Sequence, residues 1–238
     1  MWALEGMRTG FCVRFFLNPT KAPRKLPDGV RLVPASQDKT LHPALRSAID
    51  GQPEFAAWIP SSLCLYYADT LTLGARRLSG KDPRKRQMIG LWAVAASVQG
   101  RAHRDLVLSF FGIADGLVKA ADYMKVKLRD ARSSVSKVPD TENDLYDVRV
   151  GKTRLVWNGR AVADSTRVEP IQEAWVTPGT YGIVWRVDVT LRPQWSRALV
   201  GVLRVEGKDD LAKALKASPI RFVGPLYEGG RAELTFSR

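Results

Sequence analysis

The chain is poor in the residues on which most sequence-readable chemistry depends. Its 238 residues include two cysteines, Cys12 and Cys64, and two histidines, His42 and His103. So few ligands, so far apart, do not make a conventional Cys/His zinc site. Two cysteines give no disulfide framework either. Each lies in an apolar run, Phe11-Cys12-Val13 and Leu63-Cys64-Leu65, and reads as a buried thiol in a reducing compartment. No stretch approaches 18 uninterrupted apolar residues, so no spanning helix is expected. Residues 1–8 carry an acid, Glu5, and no long apolar core, unlike a secretory signal. G-x-S-x-G, H-E-x-x-H and P-loop patterns are missing. The expected location is intracellular and cytoplasmic, with the nucleus second because Arg84–Arg86 resembles a short import signal.

Acids are also scarce. Lys and Arg number 37 against 24 Asp and Glu, a formal net charge of +13. The excess is local. Between Arg76 and Lys137 there are 14 basic residues and five acids, a net +9. Hydrophobic residues at 45% and charged residues at 26% are ordinary for a folded protein, so this charge decorates a globule rather than a disordered tail. A localised positive surface attracts a polyanion, either nucleic acid or an anionic membrane.

The pattern along the chain predicts an α+β protein. Residues 11–17 read as a buried strand, and a proline-rich basic loop follows with a short strand at 30–33. Pro43 opens a short helix over 43–50, and 62–67 and 70–73 read as strands around Ala68-Asp69. The centre reads as helical. Met88, Trp92, Ala95 and Val98 recur at helical spacing in 85–98; 104–116 reads as a buried, broken helix; and Leu117, Ala121, Met124, Leu128, Ala131 and Val135 line one face of a helix over 117–135. The C-terminal part reads as a mainly antiparallel sheet with one short helix. Asn158-Gly159 predicts a hairpin turn, 183–191 alternates as a half-buried strand with 198–205 as its neighbour, an Asp cap starts a helix over 209–217, and 220–223 and 231–236 close the sheet. This divides the chain into 1–138, an acidic linker 139–147 and a mainly β region 148–238, which also suits one packed domain.

The basic block supplies the candidate site. Arg76, Arg77, Lys81, Arg84, Lys85, Arg86, Arg101 and Arg104 flank the first predicted helices, and Lys125, Arg129 and Arg132 follow the spacing of one helix edge. Packed together they would form a groove wall that grips phosphates without reading sequence. Four tryptophans fall late in the chain, at Trp157, Trp175, Trp185 and Trp195. The first three read as core, and Trp195, in a turn between Arg192 and Arg197, is a candidate for stacking on bases.

His42 and His103 are the only candidates for a catalytic base, and a surface histidine at a helix start is the plainer account of each. Asp140, Glu142 and Asp144 lack the glycine and distal glutamate of a calcium loop, so no metal is expected, and no cofactor. The function expected is therefore a non-enzymatic nucleic-acid-binding subunit of a larger nucleoprotein assembly, with RNA preferred to DNA and with protein partners in that assembly. The alternatives are a matrix-type protein on anionic membrane and an RNA-processing endonuclease of ferredoxin-like type.

Overall fold

Strands carry most of the chain. A computed structural model describes all residues except 1, 7–8, 75, 78–86, 99–102, 113–120, 122–127, 180–183 and 238. The first seven strands are β1 (Trp2–Glu5), β2 (Thr9–Leu17), β3 (Val30–Leu32), β4 (Ile59–Ala68), β5 (Thr70–Leu73), β6 (Arg76–Arg77) and β7 (Gln87–Val98). The middle of the chain forms β8 (His103–Gly112), β9 (Leu128–Lys137), β10 (Asp144–Val150) and β11 (Thr153–Ala161). After these come β12 (Thr166–Arg167), β13 (Ile171–Pro178), β14 (Val184–Arg197), β15 (Leu199–Glu206), β16 (Arg221–Val223) and β17 (Leu226–Ser237). Two α-helices lie among the described residues, α1 (Pro43–Gly51) and α2 (Asp210–Ala217).

The larger sheet curls into a nearly closed barrel. Its wall runs β2–β4–β7–β8–β13–β14–β17, antiparallel except for the parallel β8–β13 pair. Closure comes at the free edge of β2, which pairs with β16, the strand that leads directly into β17. Strand β1 adds a second tie by pairing with both β17 and β5. A smaller antiparallel sheet, β9–β10–β11–β15, packs over one side of the barrel with α2.

Strand β2 shows why these residues fold this way. Phe11, Val13 and Phe15 turn outward into the core shared with the smaller sheet, against Leu63, Trp92, Tyr146 and Trp157. Cys12 turns inward with Cys64, Tyr66, Leu91, Trp175 and Val189. A strand covered on both faces reads as an unbroken apolar run, and burying each large apolar side chain stabilises by about 1.5–3 kcal/mol. Cys12 and Cys64 are directly paired across β2 and β4 and are joined by a disulfide, where two free thiols were expected.

The expected α+β class is corrected by this architecture. The described parts of 85–98 and 104–116, read as helices, belong to neighbouring strands β7 and β8 in the barrel wall. The apparent helical spacing in 85–98 arose because β7 is buried on both faces, so Leu91 and Ala93 point inward while Trp92 and Val94 point outward. Of the predicted 117–135 helix, 128–135 lies in strand β9; apart from Ala121 the rest lies outside the described residues.

Asn158-Gly159 makes no turn either, because β11 runs straight through it. Gly159 is there because Trp157 lies across it. A Cβ on Gly159 would sit 2.2 Å from the Val200 carbonyl oxygen and 2.5 Å from the Trp157 ring. The turn falls earlier, at Gly151, whose φ of +58° suits glycine. Strand β15 pairs with β11 rather than with β14. The acidic residues turn the β9–β10 hairpin, with Asp144 bonded to Lys137 at 2.7 Å and Glu142 to Arg160. Other expectations hold, among them α1, α2 with its Asp209 cap, and strands β2, β4 and β5.

Candidate active site

A polar cluster gathers at one end of the otherwise apolar barrel interior. Arg14 comes from β2, Ser62 from β4, Asp105 from β8 and Glu173 from β13. The segment Asp38–His42 and the start of α1 cover them. Two cavities share Arg14, Thr40, His42 and Asp105. One is a small recess of about 60 Å³ reaching Ser61, Ser62 and Ala95. The other is an open cleft of about 630 Å³ reaching Glu173, Gln172 and Asp188.

Strand geometry aims each group. Arg14 follows Cys12 by two residues and so shares its inward face, opposite Ser62 on β4. Asp105 depends on an irregularity. The β7–β8 register shifts between Trp92 and Ala93, so that Trp92 faces Ser109 but Ala93 faces Val107. One extra residue reverses which side chains point inward. Phe110 is inward before the shift and Val107 after it, and Asp105 then lies beside Ala95 at the cavity. Without that bulge Asp105 would face out of the barrel. Glu173 lies two residues before the inward Trp175, whose indole N–H donates to Glu173 Oε2 at 3.0 Å.

The electrostatics single out Glu173. Burial holds its carboxyl above the usual range and the nearby Asp105 adds to this, while Arg14 and the Trp175 hydrogen bond oppose it. Burial likewise raises Tyr66, deep in the barrel, and Tyr227. The Tyr66 hydroxyl donates to the bonded Cys12 sulfur at 3.9 Å. Arg14 closes no ion pair among the described residues. Its guanidinium is a fork built for carboxylate or phosphate oxygens. The Asp38 carboxylate accepts from both the N–H and the hydroxyl of Thr40 at 2.8 Å, fixing Thr40 at the rim. His42 caps α1, its Nδ1 accepting from Ala44 N at 3.2 Å, and burial followed by Arg14 lowers its pKa.

No family model and no curated protein matches the chain in sequence. Solved structures do match it in shape. The enduracididine biosynthesis enzyme MppR, complexed with the condensation product of pyruvate and imidazole 4-carboxaldehyde, aligns with a TM-score of 0.52 at 12% identity, covering 99% of this chain and 88% of that one. Acetoacetate decarboxylase from Legionella pneumophila aligns with a TM-score of 0.53 at 9% identity, covering 98% and 86%. An acetoacetate decarboxylase-like enzyme from Sphingomonas wittichii RW1 aligns with a TM-score of 0.52 at 11% identity, covering 100% and 91%. The chain has the fold of these enzymes.

The expected nucleic-acid-binding subunit is therefore corrected, together with its assembly and membrane partners. Of the helices that were to form a phosphate-gripping wall, the first is barrel strand β7 and residues 128–135 of the other lie in strand β9 of the smaller sheet, and the proteins that share this architecture are enzymes named for small molecules. The ferredoxin-like endonuclease gives way to the same barrel.

The residues expected to grip phosphate scatter. Arg76 and Arg77 form β6, and Arg104 lies in β8. Arg129 is mostly buried, ion-paired with Asp209 at 3.5 Å and lying over the Trp92 ring. Arg132 is exposed beside Asp130. Trp195 is exposed, as expected, but lies in strand β14 opposite Arg167 and Glu228 rather than in a turn. Lys81, Arg84, Lys85, Arg86, Arg101 and Lys125 lie outside the described residues. His103 opens β8, while His42 reaches the cavity.

Arg14, Asp105 and Glu173 were missed. Arg14 carried a signal, as the lone charge in the apolar run Phe11–Leu17. Asp105 carried none, because its direction depends on a bulge.

Proposed function

We propose that this protein is an enzyme that binds a small oxo acid at the barrel end and moves a proton at the carbon beside the oxo group. Arg14 holds the substrate carboxylate through its guanidinium fork. Glu173, in its ionised form, takes the proton. The C–H bond breaks, its electron pair moves into the carbonyl to give an enolate, and the returning proton restores the starting carboxylate. A carboxyl raised toward the working pH is suited to both directions of transfer. Asp105 contributes by raising Glu173.

The observation that carries this reading is the convergence of Arg14, Asp105 and Glu173, from three separate strands, on one cleft. The fold adds an analogy and no more. MppR has been captured with pyruvate, a small oxo acid.

Proton NMR in D₂O tests the proposal directly. Incubated with pyruvate or a related small oxo acid, the protein is expected to exchange the protons beside the oxo group for deuterium faster than buffer does. Glu173→Gln should reduce this by about 10²–10⁴-fold. Arg14→Gln should weaken saturation by substrate. Exchange across a panel of oxo acids no faster than buffer would overturn it.

A further inference from the structure

His42 lines the site but has no part in the proton-transfer scheme, and its local geometry gives it one. Pro43, the first residue of α1, has no N–H, so the first amide needing a cap is that of Ala44. His42 Nδ1 accepts that N–H at 3.2 Å. A ring nitrogen that accepts carries no proton, so in the neutral imidazole the proton sits on Nε2. The ring lies 5.2 Å from Phe222 and lines both cavities. Gaining a second proton would cost the α1 cap and would place a cation in a partly buried site near Arg14. Among the described residues, the charged groups around the same cavities are Arg14 on β2, Asp38 in the covering loop, Asp105 on β8, Glu173 on β13 and Asp188 on β14.

Resting on the site reading above, we propose that His42 is a hydrogen-bond donor through Nε2–H to the substrate's oxo oxygen, beside the carboxylate held by Arg14, and that the pair selects 2-oxo acids over plain carboxylates. A neutral donor suits an oxygen that gains negative charge when the neighbouring C–H bond breaks. His42 acts as a fixed donor, while the base is a carboxyl.

Calorimetric titration with two probes separates the possibilities. Pyruvate has both groups, and propionate has only the carboxylate. The parent protein is expected to bind pyruvate more tightly, and Arg14→Gln to weaken both ligands. His42→Asn retains a side chain able to cap α1, and should weaken pyruvate by about tenfold, the worth of one hydrogen bond, while sparing propionate. If both ligands depend on Arg14 but His42→Asn changes them equally or not at all, the donor role falls and the site reading stands. If the parent binds neither, the site reading falls and takes this one with it. A second measurement does not depend on any variant. Imidazole ¹⁵N spectra of the parent protein near pH 7 should show the His42 proton on Nε2, and a proton on Nδ1 would overturn the assignment.

Discussion

Glu173 joins function to stability at a single residue. Its carboxyl binds a proton more tightly in the folded chain than in the unfolded one, where the ordinary value is 4.5. From that value up to the raised folded one, the folded state holds more protons, so stability falls as pH rises through the window. Above it the penalty is complete. Glu173→Gln removes the ionisable group and should be more stable than the parent near pH 7.5. Below about pH 4, where Glu is protonated in both states, the two should be alike. Urea unfolding of both proteins at the two pH values reads this out. A substitution that abolishes exchange yet strengthens the fold is the pattern expected where a charge is buried for chemistry. Equal midpoints at neutral pH would mean that Glu173 carries no such burden.

Among the elements, α2 has an anchor that reaches beyond its own first turn. Asp209 caps it, accepting from Ala212 N at 3.0 Å, and also takes the Thr153 hydroxyl, the Lys152 N–H and the Arg129 guanidinium. One carboxylate therefore ties α2 to the β10–β11 turn and to β9. Asp209→Ala loses the cap and leaves Arg129 mostly buried without its partner. It should cost about 2–4 kcal/mol, more than a cap alone, as a shift in denaturant midpoint. A loss near 1 kcal/mol would show that the cap is all that counts. This helix was legible because everything that makes it is local: an Asp, then Leu211 and Leu215 at helical spacing. Strands β7 and β8 were not. The alanines of β7 and the leucines of β8 suit a helix locally, and burial on both faces erased the alternation that marks a strand. Nor does the sequence of β8 reveal the bulge at Trp92–Ala93 that turns Asp105 inward, since a register shift is a property of two strands together.

Taken as a whole, the molecule sets charge and fold apart. The net +13 describes a surface and what it repels or attracts, and says nothing of the barrel beneath it. The barrel interior is the part that could not be read ahead, because its polar end is assembled from residues as distant in sequence as Arg14, Asp105 and Glu173. That assembly has a global consequence. The cleft exists only when β2, β8 and β13 are in place, so a ligand held there binds the folded chain alone and stabilises it by mass action. At a pyruvate concentration of about 100 times its dissociation constant the gain should be about 2.7 kcal/mol. For a chain of this size each kcal/mol moves the melting temperature by about 2–4 °C. The melting temperature should therefore rise by about 5–11 °C at saturation and climb with the logarithm of pyruvate concentration. Arg14→Gln should flatten the response. A rise of the same size in Arg14→Gln, or with an equal concentration of chloride, would mark it as a salt effect and remove Arg14 from the carboxylate site.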